Sequence, residues 1–258
     1  MNNIEPMTHF EVAGDPANPA MVLGHPLGMN LHAWDDVAQA MAKDFYVLRW
    51  DLPGHGKSQP VAESAAHLSE LDLVNQLLKV CDDLNINTFH YAGTSIGGTI
   101  GQQLAIHHPS RLLSLTLTNT GAKIGSAEGW AERKDNVANI GLEKMSEDIV
   151  ARWFSPKSTE RDPSLKVKWQ QSLAATDDRS YGLLCEWLGE RDQTTLLHSI
   201  DIPLTFIAGK DDVATPPELV RELAKLMGEN DIIELENVGH VPSVEASEQT
   251  KTVLGKLI

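Results

Sequence analysis

The chain reads as an α/β fold, a mostly parallel twisted sheet flanked by helices and interrupted by an all-helical insertion. Three observations predict this. From Ala20 to Thr118, short apolar runs alternate with amphipathic stretches at helical spacing, the pattern of strands buried on both faces and joined by right-handed crossovers. From Gly121 to about Leu197 the alternation stops, and only helical patterns remain. The rhythm resumes at Leu204 and continues toward the C-terminus. The expected division is a core of residues 1–120 and 198–258 with a cap at 121–197, a size suited to 258 residues and a 41% hydrophobic share.

Thr8 to Val12 alternates and predicts an antiparallel strand, followed by a turn cluster, Gly14-Asp15-Pro16 with Asn18-Pro19. Ala20 to Leu23 is a short apolar strand ending in Gly24-His25-Pro26-Leu27-Gly28. Leu31 to Ala42 has helical spacing, and Phe45 to Trp50 is the next strand, ending in Asp51-Leu52-Pro53-Gly54-His55-Gly56-Lys57-Ser58. Leu68 to Leu84 is a long amphipathic helix with Leu71, Val74, Leu77, Leu78, Cys81 and Leu84 on one face. Phe89 to Ala92 is a strand, Ile96 to His108 a helix, and Leu112 to Thr118 a strand. The insertion holds four of the six tryptophans: Trp130, Trp153, Trp169 and Trp187. Beyond it come strands Leu204–Ala208 and Ile232–Leu235, a helix over Glu218–Met227, and a last helix starting near Ser243.

Formal net charge is −15. Such a surface repels nucleic acid and anionic membrane, and neither is an expected partner; an anionic substrate would need a local cation. Cys81 and Cys185 make no disulfide framework. Neither a leader pattern nor an apolar run long enough to span a bilayer is found, so a cytoplasmic location is expected. No two histidines stand three or four apart, so helical zinc spacings are missing. Gly54-His55-Gly56-Lys57-Ser58 imitates the end of a phosphate loop. However, that motif's first glycine would fall on Asp51, and the dinucleotide fingerprint's third glycine on Gln59. No cofactor or metal is expected.

The chemistry is concentrated at Gly93-Thr94-Ser95-Ile96-Gly97, where a strand turns sharply into a helix. Serine at such an apex is lifted clear of the sheet and set at a helix N-terminus, where free amides favour developing negative charge. Side chains at 93 and 97 would collide with the crossing strand and helix, hence the glycines. Two later loops emerge at the same C-terminal edge of a parallel sheet: Gly209-Lys210-Asp211-Asp212-Val213-Ala214-Thr215-Pro216 and Glu236-Asn237-Val238-Gly239-His240. A serine hydroxyl is a poor nucleophile until an imidazole takes its proton. The imidazole in turn needs a carboxylate to hold its tautomer and its charge. Ser95, His240 and one of Asp211 or Asp212 supply that trio. Large aromatics and a dry wall for the site would come from the cap, with Trp130 and Trp153 the candidates.

Taken together, His25-Pro26-Leu27-Gly28, Asp51 to Ser58, the serine turn, the loop ending Thr215-Pro216, and Gly239-His240 resemble the α/β-hydrolase fold superfamily over nearly the whole length. Within it, the chain is most similar to the 3-oxoadipate enol-lactonases. Leu31-His32-Ala33-Trp34, Trp130-Ala131-Glu132-Arg133, Arg152-Trp153-Phe154 and Ala214-Thr215-Pro216-Pro217-Glu218 carry that likeness. It departs at His25-Pro26, where those lactonases have a small polar pair. The resemblance implies Ser95, Asp212 and His240 as the triad, since the family's aspartate stands three residues before the threonine. It also implies an oxyanion hole made by the backbone amides of Leu27 and Ile96. The lactone it names bears a free carboxylate, and Arg133, one helical turn from Trp130, is the candidate to bind it. The expected partner is therefore a small anionic lactone or ester. The same triad would also serve a carboxylesterase, a carbon–carbon bond hydrolase or a perhydrolase, and a non-catalytic ligand-binding member of the fold is the alternative of another class.

Overall fold

The structure, a computed structural model, describes residues 7–257. Seven strands form one sheet: β1 (Phe10–Ala13), β2 (Ala20–Gly24), β3 (Tyr46–Trp50), β4 (Phe89–Thr94), β5 (Leu112–Thr118), β6 (Leu204–Gly209) and β7 (Ile233–Leu235). Their order is β1-β3-β2-β4-β5-β6-β7, and only β1 runs antiparallel, against β3. The chain therefore winds one way from β2 to β3 and the other way from β4 onward. β2 and β4 lie side by side at that reversal, with Gly24 level with Gly93. Ligands of open α/β sheets bind at the strand ends of such a reversal, and here the 25–30 loop and the serine turn leave from it together.

Between the strands lie α1 (Asp35–Met41), α2 (Asp72–Asp83), α3 (Ile96–His107) and α9 (Pro217–Leu226), with α10 (Pro242–Glu245) and α11 (Ser247–Leu254) closing the chain. Three of these are shorter than their hydrophobic spacing suggests. Leu31–Trp34 is a 3-10 turn before α1, because the Asn30 side chain accepts from the His32 amide and Asp51 accepts from the Leu31 amide. α2 begins at Asp72, not Leu68: the Asp72 carboxylate bonds back to the Ser69 amide, and Trp187 takes the Ser69 and Glu70 carbonyls. The last helix breaks at Ala246, which leaves helical geometry at φ −138°.

Between β5 and β6 the chain is helical: α4 (Ala127–Ile140), α5 (Leu142–Val150), α6 (Pro156–Arg161), α7 (Ser164–Ala174) and α8 (Asp178–Gly189). Ser126, Ser155 and Asp177 cap α4, α6 and α8, each accepting from a backbone amide three residues on. Gly141, at φ 86°, turns α4 into α5. The insertion shares one apolar core with the sheet: buried Trp169, Leu173, Leu184 and Trp187 are continuous with Val22, Leu48, Phe89 and Leu115. Among the described residues no helix is long and apolar enough to cross a membrane. Both cysteines are free and buried, and burial pushes each thiol up to about 12.

Candidate active site

β4 ends in a turn that forces Ser95 to φ 58°, ψ −120°, a region serine rarely adopts. The surroundings hold it there. The Ser95 amide donates to the Thr118 carbonyl at 3.1 Å, and the Thr120 hydroxyl donates to the Ser95 carbonyl at 2.9 Å. A Cβ at Gly93 would strike the Gly97 carbonyl, and one at Gly97 the Gly24 carbonyl. The packing of β2, β4 and α3 thus requires both glycines. Ser95 precedes α3, so the Ile96 amide is the first of the helix's free donors.

The neighbouring loop is shaped by two neutral imidazoles. Nε2 of His25 accepts from the Leu52 amide at 3.0 Å, and Nε2 of His55 accepts from the Gly28 amide at 3.1 Å. Each Nδ1 donates to a backbone carbonyl, of Pro26 and Pro53 respectively. Their rings sit 5.7 Å apart between centroids. The His25 imidazole thus ties the loop to the segment after β3. Neither histidine lines the cavity described below; both hold the backbone that presents Leu27. The amides of Leu27 and Ile96 donate to no protein acceptor among the described residues.

Burial holds both imidazoles below their ordinary value. For His55, burial and the nearby His25 outweigh the opposing pull of the Pro53 hydrogen bond and bring it to about 3. In the unfolded chain the same ring takes a proton near pH 6.5. Its neutral form therefore supports folding fully above that pH, and the support is lost as pH falls toward 3. We expect His55 alone to lower the unfolding free energy by about 2 kcal/mol between pH 7 and pH 5. Urea unfolding at the two pH values, compared with His55→Gln, checks this; equal losses in both proteins would contradict it.

His240 lies on the loop after β7. Its Nδ1 donates to Asp212 Oδ2 at 2.8 Å, and the side chains are 5% and 0% exposed. Asp212 Oδ1 accepts from the amides of Ala214 and Thr215, while Oδ2 also accepts from Asn119 Nδ2 and the Thr215 hydroxyl, both at 2.6 Å. Burial alone would raise this carboxyl. The His240 charge and the bonds from His240, Thr215 and Asn119 outweigh it and hold Asp212 below the usual carboxylate range. Asp211 is exposed, and its side chain makes no hydrogen bond among the described residues. Asn119, at φ 45° just past β5, also donates to the Gly239 carbonyl, so one amide joins both loops. The Ser95 hydroxyl makes no hydrogen bond among the described residues.

Ser95 and His240 line one cavity of about 220 Å³ together with Leu27, Trp130, Arg133, Arg152, Trp153 and Tyr181, among others. Trp130, Arg133 and Trp153, the substrate-binding candidates of the sequence, all line it. The Trp130 indole is anchored by donating to the Ile124 carbonyl at 2.6 Å, and the Trp153 carbonyl accepts from the His240 amide at 2.7 Å. Arg133 is half-buried and forms no ion pair among the described residues; its bond is to the Tyr181 hydroxyl at 3.4 Å. Burial keeps that phenol protonated, so it does not neutralise the guanidinium. Arg152 lines the cavity too, bonded to the Val213 carbonyl at 3.3 Å and to no carboxylate among the described residues. Sequence reasoning missed Asn119, Arg152 and Tyr181. Asn119 left one signal, a polar residue immediately past the C-terminal end of a buried strand, and Arg152 another, its place in the Arg152-Trp153-Phe154 likeness; Tyr181 left none.

A parallel sheet reversed between β2 and β4, a strained serine at the reversal and a buried His–Asp pair beside it define a hydrolase of one architecture. The chain belongs to the α/β-hydrolase fold family, whose model matches residues 19–247. It is 33% identical to 3-oxoadipate enol-lactonase 2 of Acinetobacter baylyi over 80% of this chain and 76% of that one. The crystal structure of the enol-lactonase from Burkholderia xenovorans superposes with a TM-score of 0.91 at 29% identity, covering 98% of this chain and 96% of that one. A pimeloyl-acyl-carrier-protein methyl ester esterase of Nitrosomonas europaea is 24% identical over 93% of this chain and 95% of its own. The family's hydrolytic chemistry is thus common to relatives whose names differ in substrate.

Proposed function

We propose that the protein opens an enol-lactone of the 3-oxoadipate type through an acyl-enzyme on Ser95. The observation that carries this reading is one cavity lined by Ser95, by His240 in its bond to Asp212, and by a guanidinium, Arg133, with no carboxylate partner among the described residues. In a chain of net charge −15, an arginine left unpaired beside a nucleophile has a use if the substrate is an anion. The small volume and the two indoles suit a short, flat, ring-bearing molecule.

The reaction runs in two halves. Ser95 Oγ attacks the lactone carbonyl as His240 Nε2 takes its proton. The amides of Leu27 and Ile96 receive the oxyanion, and Asp212 stabilises the imidazolium. Collapse breaks the ring C–O bond, and the enolate oxygen takes the proton His240 carries while staying tethered, as an enol, within the acyl group on Ser95. An enolate is a good leaving group, so His240 is needed less here than in the second half. There His240 takes a proton from water, the hydroxide attacks the acyl carbon, and Ser95 recovers its proton as the acid leaves. The released enol tautomerises to a ketone.

Arg133 separates this reading from an ordinary esterase. Arg133→Ala is expected to lower kcat/KM for the carboxylate-bearing lactone by roughly 30-fold, the worth of a charge-assisted bond in a dry site. Cleavage of a neutral ester of similar size should change less than about twofold. Equal losses on both substrates would make Arg133 structural and favour a general esterase.

A further inference from the structure

Glu245 is an anion in an unusual place. It is 3% exposed, and no lysine, arginine or histidine pairs with it among the described residues. A lone buried carboxylate is costly unless something answers its charge. Three backbone amides do so: Oε2 accepts from Ser155 at 2.8 Å and from Gly239 at 2.9 Å, and Oε1 accepts from Val241 at 3.1 Å. Two of these amides flank His240. The third belongs to the insertion, two residues beyond Trp153 and three beyond Arg152.

The remaining contacts tie the same two segments. The His240 amide donates to the Trp153 carbonyl at 2.7 Å, and the Ser155 hydroxyl donates to the Asn237 carbonyl at 2.7 Å. A Cβ at Gly239 would stand 2.8 Å from both the Ser155 nitrogen and the Trp153 oxygen, so the two backbones touch there. Arg161 of α6 adds a bond to the Glu245 carbonyl. Neither segment is a regular element; the Arg152 and Trp153 amides still bond back to the last carbonyls of α5, but past them Phe154 and Ser155 rest on the contacts above.

We propose that Glu245 is a positioning residue that latches the His240 loop to the 152–155 segment of the insertion. Through it the imidazole that serves Ser95 and the wall formed by Arg152 and Trp153 are set as one unit. The carboxylate touches neither Ser95 nor the cavity; it works through the backbones it joins. This rests on the functional reading above for the role of His240. A carboxylate suits the task because two oxygens can accept from three amides at once. A glutamine would put an N–H₂ against one set of those amides and break the latch while keeping the volume.

The test is Glu245→Gln in the full chain, with a p-nitrophenyl ester bearing a distal carboxylate as substrate and the active fraction counted by a fluorophosphonate. Per active molecule, we expect kcat to fall ten- to a hundredfold, the order associated with a misplacement of about 1 Å. KM should rise as well, because the wall moves with the loop. The His240 Nδ1 proton, observed by NMR without substrate, should shift or broaden. That signal keeps the inference testable apart from activity: if the wild type cleaves no ester but its Nδ1 proton is perturbed by Glu245→Gln, the functional reading fails and the latch stands. Glu245→Gln with a lower Tm but unchanged kcat, KM and Nδ1 signal would make Glu245 merely structural. A fall in kcat at unchanged KM would show that loop and wall are not coupled. Either result overturns the proposal.

Discussion

Ser95→Ala, His240→Ala and the double variant are expected to lose the same activity, on the order of 10⁵- to 10⁶-fold in kcat, by analogy with other serine hydrolases. The equality is the informative part. Without His240 the Ser95 hydroxyl keeps its proton at neutral pH, and without Ser95 the imidazole has nothing to deprotonate in the first half-reaction. The residual rate should come from binding and from the Leu27 and Ile96 amides, which neither substitution touches. Both side chains line the cavity, so neither loss can be explained by distance. Losses that multiply in the double variant would show two independent roles and count against a triad. The measurement is kcat and kcat/KM on one ester for all four proteins, after correction for the folded fraction.

Asp212→Asn is expected to cost roughly 10⁴-fold in turnover, the scale seen when a triad aspartate loses its charge. The hydrogen bonds explain the size. Oδ1 accepts from the Ala214 and Thr215 amides, so an asparagine would keep its oxygen there. Its N–H₂ would then take the place of Oδ2 and face three donors: His240 Nδ1, Asn119 Nδ2 and the Thr215 hydroxyl. The one way His240 can answer is to carry its proton on Nε2, where it can no longer accept one from Ser95. Asp211→Asn should change turnover less than about twofold, since the side chain is exposed and bonded to nothing among the described residues. A severe Asp211 variant beside a mild Asp212 one would reverse the assignment. Circular dichroism of both variants separates chemistry from unfolding.

Much of this architecture is legible in the chain because it follows from local rules. Short apolar runs such as Ala20–Gly24 and Leu112–Thr118, too short for helices and bounded by turn residues, read as strands of a covered sheet, and Gly93 and Gly97 are visible as glycines where a side chain would strike backbone. The two loops with Asp212 and His240 follow strands, and parallel strands deliver their loops to one edge. What stayed hidden depends on contacts distant in sequence. The start of α2 at Asp72 is decided by Trp187, more than a hundred residues away, which claims the Ser69 and Glu70 carbonyls. Asn119 acquires its role only when β5 and β6 set it beside the 209–216 loop. Glu245 follows His240 by five residues and looks like a solvated helix acid until the 152–155 segment folds over it. Arg152 is visible in the chain only as part of the Arg152-Trp153-Phe154 likeness; the path of the chain out of α5 is what brings it to the cavity.

Everything proposed for the site requires that Ser95 be acylated by the carbonyl of a small lactone or ester. Acid quenching of the wild type within its first turnovers on 3-oxoadipate enol-lactone, followed by mass spectrometry of the peptide spanning Ser95, tests it most directly. An enolate leaves readily, so acylation should outrun hydrolysis of the acyl-enzyme, and the adduct should accumulate. The expected result is an increment equal to the mass of the lactone, located on Ser95, decaying as substrate is consumed and missing in Ser95→Ala. Turnover of the lactone with no adduct on Ser95, or with an adduct on any other residue, would contradict it.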